Sequence, residues 1–227
     1  MKEDDLKAVE AILFDFEGTL VDFQWNLERA VRETSEMLAA SGFPVDRLRA
    51  KKYSTLMKEA MEMASEIGQS PDEVRERIGT IYDRFDEDAL TRWTLRSEAR
   101  DLLYRLKTKG IKTGLVSNVG EKTLKRALQK LDLHQLFDVM VTRNDVKTLK
   151  PSGEGLNLAL NRLQATKEKA LFVGDSLDDI QAAKEAGLKV IVIQGEENPR
   201  ADLLSAKPDF LIKNFGEIVE SLREESS

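Results

Sequence analysis

Two carboxylates two positions apart follow an apolar run near the start of the chain. The segment "AILFDFEGTL" (residues 11–20) reads as a buried strand that breaks into Asp15 and Glu17, and a glycine and a threonine follow. A carboxylate at a strand end can attack an electrophile, and a neighbouring one can move the proton that such a step requires. The segment therefore predicts a catalytic centre at the end of this strand.

Polar residues occupy the same position after other apolar runs. Ser117 and Asn118 end a second run, Lys150 stands in the loop after a third, and Asp175 ends a fourth. In an open parallel sheet, ligands bind beyond the carboxyl ends of the strands. We therefore expect these residues to converge with Asp15 at one edge of a sheet.

The combination of residue types indicates phosphate chemistry. Carboxylates gathered at one sheet edge repel one another unless a divalent cation lies between them, and oxygen ligands with bound water suit Mg²⁺. A hydroxyl, an amide and a lysine around the same point supply donors for an anion. The set fits phosphoryl transfer to a nucleophilic carboxylate.

Several candidates also have a purely structural interpretation. Ser176 and Asp179 fit the S-x-x-D capping pattern, and an acid in a first helical turn is favoured by the helix dipole. Ser117 and Asn118 would suit a helix cap equally well. His134, the only histidine, lies between a predicted helix and a predicted strand, and we expect it to be structural.

Six apolar runs bounded by turn signals read as buried strands, and helical patterns lie between the later ones. This alternation is typical of an α/β protein whose parallel sheet is covered on both faces. The predicted strands are 11–16, 112–118, 137–142, 170–175, 189–194 and 209–212, and the predicted helices are 98–109, 121–131, 153–163 and 177–186.

The interval between the first two strands is about 95 residues, far more than one crossover helix needs. It carries helical periodicity, with a break at Gly42 and Pro44, a second helical stretch over 45–68 and a third helix that opens at "SPDE" (70–73). We predict a core domain formed by residues 1–21 and 94–227, and an inserted all-helical domain formed by residues 22–93 that could act as a lid.

The composition excludes several classes of function. A net charge of -6 over 227 residues argues against a non-specific nucleic-acid binder, and the absence of cysteine excludes disulfides and thiol catalysis. No apolar run approaches the roughly 20 residues that span a bilayer, and the first ten residues lack a signal-peptide core. We expect a cytoplasmic protein, a monomer or small homo-oligomer, without nucleic-acid or membrane partners.

Four motifs in order resemble the haloacid dehalogenase (HAD) superfamily, on its phosphatase side. These are "DFEGTL", "GLVSN", "LKP" and "FVGDSLDDI", each at a strand end or in an adjoining loop. The helical insert after the first motif is similar to the family's C1-type cap, as in phosphoglycolate phosphatases. The resemblance implies a doubly wound, Rossmann-like core with the first strand in a central position.

The resemblance also implies a role for each motif residue. Asp15 would attack phosphorus and become an aspartyl phosphate. The phosphoryl oxygens would be held by Ser117, Asn118 and Lys150.

The resemblance further implies a Mg²⁺ site. The ion would be bound by Asp15, the backbone carbonyl of Glu17 and Asp175, while Asp179 would order a metal-bound water.

Glu17 departs from the family pattern, which has aspartate at this position. That aspartate protonates the leaving oxygen and then activates the attacking water. The glutamate moves the carboxyl group outward by one methylene, about 1.5 Å. Since a misplacement near 1 Å can cost about 10² in rate, the acid-base role of Glu17 depends on how the loop or the substrate adjusts.

The leading hypothesis is Mg²⁺-dependent hydrolysis of a small phosphorylated metabolite, such as phosphoglycolate or a sugar phosphate. A phosphosugar mutase on the same scaffold and a catalytically impaired binding protein are the alternatives. Phosphonate cleavage and dehalogenation are disfavoured, because in this superfamily the first has alanine at position 17 and the second lacks the acidic metal cluster.

Overall fold

The computed structural model describes residues 8–48, 52–195 and 198–222. Its core is a six-stranded, wholly parallel sheet in the order β3-β2-β1-β4-β5-β6. The strands are β1 (Ala11–Phe14), β2 (Lys112–Val116), β3 (Val139–Val141), β4 (Ala170–Gly174), β5 (Lys189–Ile193) and β6 (Phe210–Ile212). The predicted α/β class and all six predicted strands are confirmed.

Nine α-helices accompany the sheet in the described part of the chain. They are α1 (Leu27–Ala40), α2 (Tyr53–Glu66), α3 (Pro71–Leu90), α4 (Ala99–Thr108), α5 (Glu121–Lys130), α6 (Glu154–Leu163), α7 (Leu177–Ala186), α8 (Arg200–Ser205) and α9 (Gly216–Ser221). Short 3₁₀ turns cover Val45–Arg47 and Lys167–Lys169. None of these helices combines the length and apolar character needed to cross a bilayer.

The strand order makes the sheet doubly wound. From β1 the chain adds strands outward through β2 and β3, whereas β4, β5 and β6 extend the sheet in the opposite direction. The direction reverses between the neighbouring strands β1 and β4. A crevice outside the carboxyl ends of the strands opens at such a reversal, and ligands bind there.

Helices cover the sheet because its strands are apolar along their whole length. Every residue of β1 and β4 is buried. Helices α6 and α7 pack against each other, α6 also against β1–β3 and α7 against β4 and β5, while α4 packs on β2 and against α9. This burial of central parallel strands fixes the sheet rigidly, so the residues at the strand ends are held in place.

Helices α1, α2 and α3 form the predicted insert between β1 and α4. Their facing sides share an aromatic cluster in which the ring of Trp25 lies 4.7 Å from that of Tyr53 and 5.3 Å from that of Tyr82. The predicted second helical stretch over 45–68 is divided, because its regular part begins only at Tyr53; residues 49–51 lie outside the described part. Residues 22–93 as a separate domain remain a prediction.

The chain enters and leaves this insert through two adjacent segments. Val21 pairs with Leu95 in an isolated antiparallel bridge, and the N–H of Asp22 donates to the carbonyl of Thr94. The first segment follows the turn after β1, and the second leads from α3 into α4. The two segments that connect the insert to the core are therefore paired with each other.

Candidate active site

The predicted site residues lie just beyond the strands rather than within them. Asp15 follows β1, Ser117 follows β2 and Asp175 follows β4, although the predicted strands ran one or two residues further. The chain has to turn out of the sheet here, which aims polar side chains into the crevice. All seven predicted site residues line one cavity of about 290 Å³: Asp15, Glu17, Ser117, Asn118, Lys150, Asp175 and Asp179.

Three carboxylates gather at the reversal point. Asp15, Asp175 and Asp179 are at most 5% exposed, and one oxygen from each lies within 4.8 Å of the others. Asp15 is fixed by its own N–H, which donates to the carbonyl of Val173 on the neighbouring strand. The structure thus brings these three acids together at one point.

The ammonium group of Lys150 lies between two of the acids. Its Nζ is 2.5 Å from Asp15 Oδ1 and 2.7 Å from Asp179 Oδ1, and the side chain is buried. Burial opposes the charge, but attraction to both carboxylates outweighs it and raises the pKa of Lys150. Lys150 therefore stays charged and holds the two acids in position.

Burial and mutual repulsion raise the pKa values of the acids and so favour their neutral forms, whereas Lys150 stays charged. Burial raises the pKa of Asp15 to about 6, although Lys150 opposes the shift and Asp179 adds to it. The pKa of Asp175 is also raised well above its ordinary value, by burial first and then by Asp179 and Asp15. When all three carboxyl groups are ionised, they and the one ammonium group leave two negative charges uncompensated, which suits a divalent cation.

The turn after β1 completes an oxygen-lined recess. Gly18 has a φ of +87°, and a Cβ at this position would lie 2.4 Å from Asp175 Oδ2, so only glycine lets the main chain pass here. Thr19 donates its hydroxyl to Asp175 Oδ1 at 2.8 Å. The main chain at Gly18 therefore lies against the acidic cluster, and the carboxylate oxygens of this cluster fit Mg²⁺.

Asp179 both caps helix α7 and contacts Lys150 in the cavity. One carboxylate oxygen accepts from the N–H and the hydroxyl of Ser176, while the Ser176 hydroxyl accepts from the N–H of Asp179. This capping box starts α7. The other oxygen accepts from Lys150, so the cap also fixes the acid in the site.

Glu17 points its carboxylate toward the two linker segments of the insert. Glu17 Oε1 accepts from the N–H of Gln24 and from the indole Nε1 of Trp93, both at 2.9 Å. Burial raises the pKa of Glu17 to about 8, against the lowering effect of these two hydrogen bonds. At neutral pH Glu17 therefore holds a proton while Asp15, with its lower pKa, is mostly ionised.

The loop after β2 is tied to the loop that carries Lys150. The side-chain amide of Asn118 accepts from the N–H of Lys150 at 3.1 Å and donates to its carbonyl at 3.3 Å. Ser117 is buried, and its hydroxyl accepts from the N–H of Val119. Asn118 thus braces the Lys150 backbone, and direct contact of Ser117 or Asn118 with a phosphate stays a prediction.

The insert closes the cavity from above. Phe23, Leu27 and Tyr53 line its wall, and Lys52 forms an ion pair with Asp178 of α7 at 2.6 Å. Sequence patterns indicate no role for these residues, nor for Thr19, Gln24 or Trp93. Only Thr19, which lies within the motif "DFEGTL", stands where a role could be anticipated.

Known proteins resemble the chain along nearly its whole length. Residues 12–193 match the family described as haloacid dehalogenase-like hydrolase. A pyrophosphatase PpaX of Bacillus cereus is 30% identical over 222 residues, which cover 94% of this chain and 96% of the relative. A phosphoglycolate phosphatase of Salmonella paratyphi A is 28% identical over 236 residues, which cover 96% of this chain and 94% of the relative.

A solved structure shares the fold. It comes from Thermotoga maritima and is provisionally named a beta-phosphoglucomutase. The match has a TM-score of 0.59 at 25% identity and covers 90% of this chain and 94% of the other. The shared fold therefore extends over most of the chain.

The raised pKa of Glu17 predicts a pH dependence of stability in the metal-free protein. The folded state holds the proton up to about pH 8, whereas the unfolded chain releases it near the ordinary value of 4.5. The unfolded state therefore binds fewer protons between these values, and the contribution of Glu17 to the free energy of unfolding falls as pH rises. Urea unfolding in the presence of a chelator should show a steeper fall for the wild type than for Glu17→Gln.

Tryptophan fluorescence provides an independent check on the same group. Trp93 contacts Glu17 directly, so its emission should change with a midpoint near pH 8. The Glu17→Gln variant keeps both tryptophans and serves as the control. Equal pH slopes and equal fluorescence profiles for the two proteins would show that Glu17 does not titrate in this range.

Proposed function

Because the chain belongs to the haloacid dehalogenase-like hydrolase family, we propose that it is a Mg²⁺-dependent phosphatase of small phosphomonoesters. Relatives matched over nearly the whole chain are named phosphoglycolate phosphatase and pyrophosphatase. The observation that carries the proposal is that the carboxyl groups of Asp15 and Glu17 line the same cavity, in which Lys150 Nζ lies against Asp15. Burial raises their pKa values to different extents, to about 6 for Asp15 and about 8 for Glu17, so the two groups can act as nucleophile and general acid.

The first chemical step transfers the phosphoryl group to Asp15. A carboxylate oxygen of Asp15 forms a bond to phosphorus as the bond to the leaving oxygen breaks, and Glu17 gives its proton to that oxygen. In the second step a water attacks the same phosphorus, Glu17 takes the proton of this water, and the Asp15 carboxylate is released. Glu17 ends in the protonated state in which it began.

Charge in the cavity supports this cycle. Lys150 lies against the nucleophile and can pair with a phosphoryl oxygen, and Ser117 and Asn118 are placed at the neighbouring strand end. The Mg²⁺ ion would be held by Asp15, the backbone carbonyl of Glu17 and Asp175, and Asp179 would order a water beside it. When bound, it would neutralise negative charge on the transferring group.

The size of the cavity favours a small substrate. A volume of about 290 Å³ has to hold the phosphoryl group and the organic part together. We propose phosphoglycolate-like and sugar-phosphate-like monoesters, and inorganic pyrophosphate because one relative is named a pyrophosphatase. The second candidate function is a phosphosugar mutase, which the likeness to the Thermotoga maritima structure favours.

Substitution of the two acids tests the proposed cycle. Asp15→Asn removes the nucleophile and should lower phosphate release by about 10³ or more. Glu17→Gln retains the size of the side chain but carries no transferable proton, so turnover should fall by about 10² to 10⁴. The measurement is steady-state release of inorganic phosphate from phosphoglycolate, sugar phosphates and pyrophosphate in the presence of Mg²⁺.

Three outcomes of that assay would contradict the proposal. Isomerisation of a phosphosugar without net phosphate release would identify a mutase. Absence of turnover with every ester, combined with failure to form an Asp15 complex with beryllofluoride, would favour a binding protein. Unchanged turnover in Glu17→Gln would show that Glu17 has no acid-base role.

A higher rate in Glu17→Asp would show that the longer side chain limits the native enzyme.

The Asp175→Asn variant tests the metal site through stability. Neutralising Asp175 relieves its repulsion with Asp15 and Asp179, so the metal-free variant should melt at or above the wild-type temperature. Saturating Mg²⁺ should stabilise the wild type, by roughly 2–3 kcal/mol at about a hundredfold excess over its dissociation constant, and should stabilise the variant far less. Equal stabilisation of both proteins by Mg²⁺ would place the metal elsewhere.

A further inference from the structure

A buried ion pair joins the helical insert to the core behind the cavity. Asp86 on α3 is 1% exposed, and Arg143, directly after β3, is 3% exposed. Arg143 Nη2 lies 2.7 Å from Asp86 Oδ2. Removing one member of a pair at this depth would leave an uncompensated charge at a cost of several kcal/mol. The proposed chemistry uses neither residue.

The pair holds the main chain of three consecutive residues. Arg143 Nη1 donates to the carbonyl of Asn118 at 2.7 Å, and the main-chain N–H of Arg143 donates to the carbonyl of Val119 at 3.2 Å. The N–H of Gly120 donates to Asp86 Oδ2 at 2.9 Å. These residues continue the loop that begins with Ser117, the proposed phosphate-binding loop.

The ion pair lies so close to the loop backbone that position 120 has no room for a side chain. A Cβ on Gly120 would lie 2.6 Å from Asp83 Oδ1 and 2.8 Å from Arg143 Nη2, so the loop backbone lies directly against the ion pair. The second oxygen of Asp86 accepts from the indole of Trp25 at 2.9 Å. Both carboxylate oxygens are thus occupied, and the carboxylate has no freedom to turn.

We propose that Asp86 and Arg143 are positioning residues for the phosphate-binding loop, residues 117–120. They hold its backbone from the side of the insert, so that the insert contributes to phosphate affinity without touching the phosphate. Donors that are fixed in advance bind an anion more tightly than donors that must first be ordered. This inference rests on the proposed function, because that function assigns the loop to phosphate.

A neighbouring contact provides a matched control. Glu87, the next residue of α3, forms an ion pair with Arg126 of α5 and accepts from the hydroxyl of Thr123. This contact also joins insert and core, but it does not reach residues 117–120. The variant Glu87→Gln therefore loosens the attachment of the insert without disturbing the loop.

The main test is the Arg143→Lys variant. Lysine keeps a positive charge for Asp86, so the fold should persist, but it lacks the guanidinium arm that reaches the Asn118 carbonyl. The dissociation constant for inorganic phosphate, measured by calorimetry with Mg²⁺, should rise by about tenfold. The KM for the best phosphoester should rise similarly, while kcat changes by less than about threefold.

A double variant that lacks both charges tests the inference even if Arg143→Lys does not fold. Asp86→Asn combined with Arg143→Gln removes both buried charges, and Asp83, the other partner of Arg143, is exposed to water. The double variant should weaken phosphate binding at least as much as Arg143→Lys. Melting temperatures are measured in parallel. A purely structural role would lower the melting temperature and leave the phosphate dissociation constant, measured well below it, unchanged.

The outcomes separate this inference from the proposed function. If the wild type is active and the folded Arg143 variants bind phosphate as tightly as it does, this inference is wrong but the proposed function stands. Equal weakening in Glu87→Gln also overturns it, because the effect would then come from general loosening of the insert. A wild-type protein that neither binds nor releases phosphate overturns the proposed function, and this inference with it.

Discussion

The buried ammonium group of Lys150 is the interaction on which the arrangement of the site depends. It lies within hydrogen-bonding distance of both Asp15 and Asp179, in a region where water does not screen charge effectively. Without it, three carboxylates in so small a space would repel one another or take up protons. Lys150 also lowers the pKa of Asp15 relative to burial alone, which keeps this acid ionised near neutral pH. The lysine therefore determines both the geometry and the charge of the nucleophile.

The doubly wound sheet brings these groups together from distant parts of the chain. Parallel strands end at the same edge, so β1 and β4 deliver Asp15 and Asp175 side by side at the reversal point. The loops after β2 and β3 approach from the other side with Asn118 and Lys150, and the side-chain amide of Asn118 binds the main-chain N–H and carbonyl of Lys150. No single element contains the site. Its precision comes from the register of four neighbouring parallel strands, and the apolar residues of those strands determine that register.

The sequence predicted the parts that follow local rules. Apolar runs bounded by turn signals identified every strand, capping residues identified the start of α7, and polar residues at strand ends identified the acidic cluster. It did not predict the partners of Glu17 or the pair formed by Asp86 and Arg143. Trp93 lies 76 residues from Glu17, and Arg143 lies 57 from Asp86, so no periodicity or spacing relates them. Such contacts depend on how the insert is placed over the core, which only the folded structure defines.

The position of the insert over the core explains what the extra methylene of Glu17 does. The carboxyl group spans from the strand end to both linkers of the insert, where Gln24 and Trp93 donate to it. An aspartate would end about 1.5 Å earlier, short of these donors. The same surroundings bury the carboxyl and raise its pKa, and burial outweighs the hydrogen bonds that lower it. If the insert moved away, both effects would weaken and the pKa would return toward its ordinary value. The proton affinity of the proposed acid therefore depends on the insert as well as on the core.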